Sequence, residues 1–122
     1  MFEISVVMDF SAAHNLRDYN GKCEKLHGHN WQVEVVLSAK ALDKGAMVMD
    51  FTIAKKKLKQ VLRYFDHSYI NDKEYFKKNN PTSENIAKFI YENMAKQIKR
   101  SKCKVARVSV WETPRSKATY YE

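Results

Sequence analysis

The chain opens with a regular alternation of apolar and polar residues. Every even position in residues 2–12 is apolar, whereas the odd positions include Glu3 and Asp9. A period of two is typical of a β-strand with one buried face. The same alternation returns at residues 31–39, after a polar segment at residues 15–25. We therefore predict two strands that pair as an antiparallel hairpin around this connecting segment.

Helical periodicity replaces the alternation in the middle of the chain. Apolar residues recur at steps of three and four within residues 51–65, which predicts a helix with lysines on its outer face. A second helix is predicted to begin just after Pro81. Thr82 or Ser83 can cap its N-terminus, and the charge of Glu84 suits the positive end of the helix dipole. The apolar stripe of this helix comprises Ile86, Phe89, Ile90, Met94 and Ile98.

Strand character returns in the last part of the chain, at residues 105–111 and 118–121, with a turn at Thr113-Pro114 between them. The order strand, strand, helix, helix, strand, strand predicts an α+β fold with two helices on one face of a four-stranded antiparallel sheet. Edge strands of such a sheet must be covered, charged or paired with another chain, which favours an oligomer. Because residues 1–122 contain no repeat or linker, we expect a single domain.

Composition narrows the classes of function. With 44% hydrophobic residues and only 3 Gly and 2 Pro, the chain is not a disordered protein. Its net charge of +8 favours an anionic partner, which could be a nucleic acid, a membrane surface or a phosphorylated small molecule. No apolar stretch approaches the roughly 18 residues of a membrane span. Two cysteines are too few for a disulfide scaffold, so we expect a cytoplasmic protein. We assign no function to Cys103.

Three of the four histidines lie in or beside the connection between the first two strands. His27 and His29 are two residues apart, so both imidazoles lie on one face of a strand, and Gly28 leaves space between them. His14 ends the preceding strand and becomes their neighbour if the two strands pair. Three neutral imidazoles with an open fourth position are typical of a catalytic zinc site. At each position alone, the alternative is a surface or hydrogen-bonded histidine.

Cys23 precedes His27 by four residues, in a segment that also carries Arg17, Lys22 and Lys25. Cationic neighbours and a metal lower the pKa of a thiol and make it a usable base or nucleophile. The spacing leaves two alternatives open, a fourth metal ligand and a buried, inert thiol.

Two further positions carry groups that could transfer a proton or bind a ligand. Asp66 and His67 are adjacent at the end of the first predicted helix, and an imidazole titrates near neutral pH. A helix-terminal histidine that interacts only with the dipole is the alternative there. Glu112 lies two residues after Val110 and four after Val108, so its side chain is expected on the same, inward-facing side of the strand. A buried carboxylate needs a partner, such as the amino and ring N–H groups of a ligand. A frayed, exposed strand end is the alternative for Glu112.

These residues lie in six motifs that occur in a specific order, and their combination resembles the family of 6-pyruvoyl- and 6-carboxy-tetrahydropterin synthases. The motifs are FSAAH at 10–14, CEKLHGH at 23–29, MVMDF at 47–51, FDHSYIN at 65–71, PTSEN at 81–85 and WETP at 111–114. HGH alone is a weak signal, but the resemblance runs from end to end. It implies the tunnelling fold, in which subunits of this element order close their sheets into a barrel and form active sites at subunit interfaces, as hexamers or tetramers.

The resemblance also implies roles for the candidate residues. They are zinc ligands at His14, His27 and His29, the catalytic thiol at Cys23, the proton-transferring pair at Asp66 and His67, and the pterin-anchoring carboxylate at Glu112. Thr82, Ser83 and Glu84 lie in a segment that approaches the pterin from a neighbouring subunit in such proteins. The segment between His14 and Cys23 is short for the family.

The resemblance implies 7,8-dihydroneopterin triphosphate as substrate, so lysines and arginines at the mouth of the site are expected to hold the triphosphate. Three residues separate Cys23 from His27, as in the carboxy-forming enzymes of 7-deazaguanine and queuosine synthesis, whereas the pyruvoyl-forming enzymes typically have a longer gap. The expected products are 6-carboxy-5,6,7,8-tetrahydropterin, acetaldehyde and triphosphate.

Two alternatives remain at this point. One is a 6-pyruvoyl-tetrahydropterin synthase, which eliminates the triphosphate. The other is a basic zinc-containing module that binds nucleic acid. This hypothesis leaves Cys23, Glu112 and the Asp66-His67 pair without roles. We therefore expect a small-molecule substrate, and neither a nucleic acid nor a membrane as partner.

Overall fold

The computed structural model describes residues 1–21 and 24–122. Long strands form where the sequence alternates, and helices form where apolar residues recur at three- and four-residue steps. The elements in chain order are β1 (Phe2–His14), β2 (His27–Ala39), α1 (Phe51–Leu62), β3 (Ser68–Tyr69), a 3-10 turn (Ile70–Asp72), α2 (Glu74–Lys78), α3 (Ser83–Gln97), β4 (Lys104–Thr113) and β5 (Ser116–Tyr120).

The described strands form one sheet in the order β3-β1-β2-β4-β5. β1 and β2 pair antiparallel along their whole length, from Phe2 opposite Ala39 to His14 opposite His27. The four long strands are antiparallel as predicted, and the α+β class is confirmed. The expectation of a purely antiparallel four-stranded sheet is wrong, because β3 adds two residues that run parallel to β1. Two residues are too few to show a periodic pattern.

The hydrophobic core lies between one face of the sheet and the helices α1 and α3. The even positions of β1 and the odd positions of β2 contribute residues such as Phe10, Trp31 and Leu37, which are almost fully buried. Phe65 also packs there, with its ring stacked on that of Phe10 at 5.0 Å between centroids. The predicted placement of both long helices on one face is therefore confirmed, since their buried residues belong to the same cluster.

The helix boundaries have local causes. The side chain of Asp50 accepts a hydrogen bond from the Thr52 amide at the start of α1, and Thr82 caps α3 through the Asn85 amide. α1 ends at Leu62, earlier than the apolar pattern suggests, because the chain then turns back towards β1. The turn places the His67 amide 2.6 Å from the Ser11 carbonyl oxygen, with a left-handed φ of 57° at His67. Within the described ranges, no helix has the length and apolar character needed to cross a lipid bilayer.

Candidate metal centre

Three histidines lie at the end of the sheet, on the face that carries the core. His14 is the last residue of β1 and pairs directly with His27, the first residue of β2, while Ala12 pairs with His29. Because side chains alternate along a strand, all three imidazoles continue the buried stripe that contains Trp31. His14 is 1% exposed, so the cluster begins where the hydrophobic core ends.

One carboxylate joins the three imidazoles. Oε1 of Glu112 lies 2.9 Å from Nε2 of His29, 3.1 Å from Nε2 of His14 and 3.8 Å from Nε2 of His27. One ligand atom from each of these four residues lies within 4.8 Å of the others. The strand β4 brings Glu112 to this position, next to an irregularity in the pairing of β4 with β5. β4 extends to Thr113, so the alternative of a frayed strand end at Glu112 is wrong.

Backbone carbonyl groups set the tautomers of two of the histidines. Nδ1 of His14 lies 2.8 Å from the Pro81 carbonyl oxygen, and Nδ1 of His27 lies 2.8 Å from the Lys25 carbonyl oxygen. A carbonyl oxygen only accepts hydrogen bonds, so each Nδ1 carries the proton. In the neutral rings both Nε2 atoms are then unprotonated, although they lie only 3.1 Å apart. Two lone pairs that converge in this way repel each other unless a cation lies between them.

His29 completes a donor set that fits a zinc ion. Its Nε2 atom is buried and, among residues 1–21 and 24–122, has no partner in hydrogen-bond geometry despite the nearby carboxylate. Burial lowers the pKa of His29, which favours the neutral imidazole that can bind a metal. Ligands about 2.0–2.1 Å from a tetrahedral zinc ion lie roughly 3.3 Å apart, which is close to the 3.1 Å between the Nε2 atoms of His14 and His27. The residues therefore fit zinc.

An open groove of about 460 Å³ is lined both by His29 of this cluster and by His67 of the Asp66-His67 pair. Oδ2 of Asp66 lies 3.1 Å from Nδ1 of His67, and the Ser11 amide donates to Oδ1 of Asp66 at 3.0 Å. These contacts, above all the one with the Ser11 amide, hold the pKa of the Asp66 carboxyl below its usual value. Asp66 thus stays ionised and can orient the exposed ring of His67.

Other predicted site residues occupy different surroundings. Thr82 caps α3, and Ser83 and Glu84 lie in the first turn of that helix. Cys23 lies outside the described residues. The guanidinium group of Arg17, a cationic neighbour of Cys23 in the sequence, donates to the Phe76 carbonyl oxygen.

Sequence reasoning missed the groups that surround the histidines. The Pro81 and Lys25 carbonyl groups, which fix two tautomers, are backbone atoms and leave no signature in residue types. The asparagines Asn71 and Asn80 bond to the segment after His14 and follow no periodic pattern. The one available signal for Asn80 was its position directly before the PTSEN motif, where polar residues often bond to the backbone at the start of a helix.

Comparison with known proteins identifies the family of this chain. The family model described as 6-pyruvoyl tetrahydropterin synthase matches residues 3–122. The chain belongs to this family. The sequence-based resemblance is thereby confirmed, and the chain is an enzyme of this family.

Curated relatives carry the name 6-carboxy-5,6,7,8-tetrahydropterin synthase. The one from Haemophilus influenzae is 33% identical, and the match covers 100% of both chains. The one from Aquifex aeolicus is 31% identical over 99% of this chain and 98% of the relative.

Solved structures of the same family share the fold. The 6-pyruvoyl tetrahydropterin synthase of Caenorhabditis elegans superimposes with a TM-score of 0.83 at 28% identity and covers 99% of this chain and 95% of that chain. That of Plasmodium falciparum gives a TM-score of 0.78 at 25% identity, over 99% and 97% of the two chains. The predicted tunnelling fold of the subunit is therefore confirmed.

Proposed function

We propose that this chain converts 7,8-dihydroneopterin triphosphate and water to 6-carboxy-5,6,7,8-tetrahydropterin, acetaldehyde and triphosphate, in the synthesis of 7-deazaguanines such as queuosine. The observation that carries the proposal is the cluster of His14, His27, His29 and Glu112, whose His29 shares a groove with His67. The names of the relatives that match the chain from end to end and the short spacing between Cys23 and His27 favour the carboxy-forming reaction.

The three histidines are proposed to hold a zinc ion through their Nε2 atoms. A bound zinc supplies Lewis-acid stabilisation of the negative charge that develops on a substrate oxygen. His14 and His27 are already in the tautomers that leave Nε2 unprotonated, so they need no rearrangement to act as ligands. The reduced pterin provides the electrons, which explains why neither a nicotinamide nor a flavin is required.

The chain's own groups are proposed to move the protons. Cys23, as a thiolate, is the base in this proposal, and its thiol chemistry favours a reducing compartment such as the cytoplasm. His67 transfers the second proton, with its ring oriented by the ionised Asp66. The Ser11 backbone supports both residues, since its amide donates to Asp66 and its carbonyl oxygen accepts from the His67 amide. The pair is therefore fixed to β1, the strand that also carries His14.

Glu112 is proposed to bind the 2-amino and ring N–H groups of the pterin. In the described structure this carboxylate lies against the imidazoles, and its side chain is 36% exposed, so it remains accessible to a ligand. A carboxylate that accepts hydrogen bonds from two N–H groups of a pterin fixes the orientation of the ring, because the two parallel bonds allow one geometry only.

Replacing Glu112 with Gln tests this role. We expect pterin binding to weaken roughly 10- to 100-fold, because a hydrogen bond to a charged group contributes about 1.5–3 kcal/mol. Titration with a pterin, monitored by fluorescence, measures the affinity, and metal analysis measures zinc in the same sample. Retained zinc with weakened pterin binding supports the anchor. Loss of zinc with unchanged pterin affinity would instead make Glu112 the fourth metal ligand.

The complete site is proposed to form in a homo-oligomer, a hexamer or a tetramer whose sheets close into a barrel. Thr82, Ser83 and Glu84 then approach the pterin bound by a neighbouring subunit. Residues 1–122 act as one domain in this proposal, and lysines and arginines at the mouth of the site hold the triphosphate. Light scattering measures the mass of the particle in solution and thereby tests whether the chain forms a tetramer or a hexamer.

Product analysis tests the proposed reaction directly. Zinc-loaded protein is incubated with 7,8-dihydroneopterin triphosphate, and the products are analysed by mass spectrometry together with an assay for acetaldehyde. We expect a 6-carboxy product and acetaldehyde in equal amounts. A 6-pyruvoyl product without acetaldehyde would favour the alternative activity, which is the one named for the structural neighbours. Absence of any conversion by metal-loaded protein would contradict both activities, and salt-sensitive binding of RNA would then favour the nucleic-acid module.

A further inference from the structure

The segment that leaves β1 after His14 is held by side chains on three consecutive residues. The Asn15 amide donates to Oδ1 of Asn71 at 3.1 Å, and Nδ2 of Asn71 donates to the Asn15 carbonyl oxygen at 2.8 Å. Arg17 and Asn80 make the same reciprocal pair at 2.9 and 3.0 Å. Between them, the Leu16 amide donates to the Glu24 carboxylate and the Leu16 carbonyl oxygen accepts from the Glu24 amide.

A carboxamide can replace a neighbouring strand in this way, because it presents one acceptor and one donor with nearly the spacing of a peptide group. All three residues of the segment thus have both backbone groups paired. The peptide groups of the segment are therefore hydrogen-bonded as they would be in a sheet. Its position determines where the Cα atom of His14 lies at one end of the candidate metal centre.

Asn80 differs from Asn71 because it is connected to His14 in two ways. Its side chain holds the segment that follows His14, and the next residue in the chain contacts the His14 ring. The residue after it, Pro81, supplies the carbonyl oxygen that accepts the Nδ1 proton of His14 in a buried hydrogen bond of 2.8 Å. The Asn80 carbonyl oxygen is itself fixed, since it accepts from Nδ2 of Asn85 at 2.9 Å and from the Thr82 amide at 2.8 Å. Asn80 therefore links the start of α3 to the segment that follows His14.

We propose that Asn80 is a positioning residue for the metal centre. Its carboxamide holds the Pro81 carbonyl group at a set distance from residues 15–17 and thereby fixes both the orientation and the tautomer of the His14 ring. The inference rests on the proposed metal site. Groups that hydrogen-bond directly to a metal ligand, as the Pro81 carbonyl group does with His14, typically change metal affinity about 10- to 100-fold when they are lost. Asn80 acts through this carbonyl group, so we expect its loss to have an effect of the same order.

The test compares Asn80→Ala with Asn71→Ala, a matched control that removes the same number of hydrogen bonds from the same segment but has no link to Pro81. Zinc affinity is measured by competition with a chromophoric chelator, using the full chain. We expect Asn80→Ala to weaken zinc binding about 10- to 100-fold and Asn71→Ala to weaken it clearly less. Thermal unfolding of both metal-free variants reports how far each substitution affects the fold.

Two spectroscopic readouts distinguish positioning from a general loss of stability. In the metal-free wild type, long-range ¹⁵N–¹H NMR is expected to show the proton of His14 on Nδ1, and in Asn80→Ala a mixture of tautomers. Cobalt(II) replaces zinc as a visible probe, and its absorption bands are expected to shift in Asn80→Ala and to stay unchanged in Asn71→Ala. If Asn80 had a purely structural role, Asn80→Ala and Asn71→Ala would change the NMR signals and the cobalt absorption bands to the same extent.

The inference is overturned if folded Asn80→Ala binds zinc with wild-type affinity, or if Asn71→Ala weakens binding by the same factor. Should Asn80→Ala fail to fold, Asn85→Ala removes one support of the Asn80 carbonyl group, and the inference then requires a smaller loss of affinity in the same direction. If the wild-type chain itself binds no zinc, the proposed metal site fails. Zinc binding by the wild type with no effect of Asn80 rejects this inference alone.

Discussion

The His27→Ala variant is expected to lose its zinc and, with it, catalytic turnover. His27 supplies one of three Nε2 atoms that converge at the end of the sheet, and the alanine offers no replacement ligand. We expect zinc affinity to fall by more than about 100-fold, since even partners that do not touch a metal are worth about 10- to 100-fold. Metal analysis after dialysis against a weak chelator measures the retained zinc, and the product assay measures turnover.

His67→Ala is the matched control for this experiment. His67 is also an imidazole that lines the groove, but its side chain is 83% exposed and it does not belong to the cluster that could hold a metal. We expect this variant to retain one equivalent of zinc and to lose turnover only. One equivalent retained by His27→Ala would refute the ligand assignment, and zinc loss in both variants would point to a disturbed fold rather than a lost ligand.

The Cys23→Ala variant is expected to bind zinc and pterin normally and to turn over about 10²–10⁴ times more slowly, the contribution of a positioned acid or base. The expectation comes from the sequence, where the thiol lies four residues before His27 among cationic side chains. The change should appear in kcat and leave the affinity for the pterin nearly unaltered, because an alanine removes the base without removing a ligand contact.

Cys103→Ala provides the thiol control. Cys103 is 4% exposed and packs in the hydrophobic core, so it cannot reach a substrate in the groove. Its replacement is expected to leave turnover unchanged with a modest loss of stability. Full activity in Cys23→Ala would remove the thiol from the mechanism. Loss of zinc in Cys23→Ala would instead identify Cys23 as a metal ligand, the alternative that the spacing leaves open.

The local pattern of the sequence predicts most of the fold. Alternation at residues 2–12 and 31–39 predicts the strands that the structure extends to His14 and back to His27. The helical stripe after Pro81 predicts α3, and the structure selects Thr82 from the two predicted cap residues, Thr82 and Ser83. Burial drives these patterns, because a residue on the wrong face would expose apolar surface or bury a polar group. The elements β3 and α2 are too short for such a period, and they were not predicted.

Part of the candidate site follows from sequence in the same way. His27 and His29 share a face because side chains alternate along a strand, and their pairing with β1 brings His14 beside them. The order of the six motifs also indicates the protein family, and the comparisons confirm that family. The roles of all the site residues stay predictions, those of the histidines, Glu112 and the Asp66-His67 pair as well as those of Cys23 and Thr82–Glu84.

The remaining geometry was decided by tertiary structure. Glu112 meets the histidines because the register of β4 against β2, followed by an irregularity near Trp111, sets its position at the end of the sheet. His67 faces the groove because the chain reverses after α1 and bonds to the Ser11 backbone. The Pro81 carbonyl group reaches Nδ1 of His14 because Asn80 holds the start of α3 against the segment after β1.

The sequence by itself therefore determined the long elements, the face of the sheet that carries the histidines and the family. Periodicity records which side of each element is buried, and that is a property of neighbouring residues. The tertiary structure alone decided which distant groups meet at the candidate metal centre. These contacts depend on strand register, on a reversal of the chain and on side-chain hydrogen bonds between residues more than 50 positions apart, such as Arg17 and Asn80.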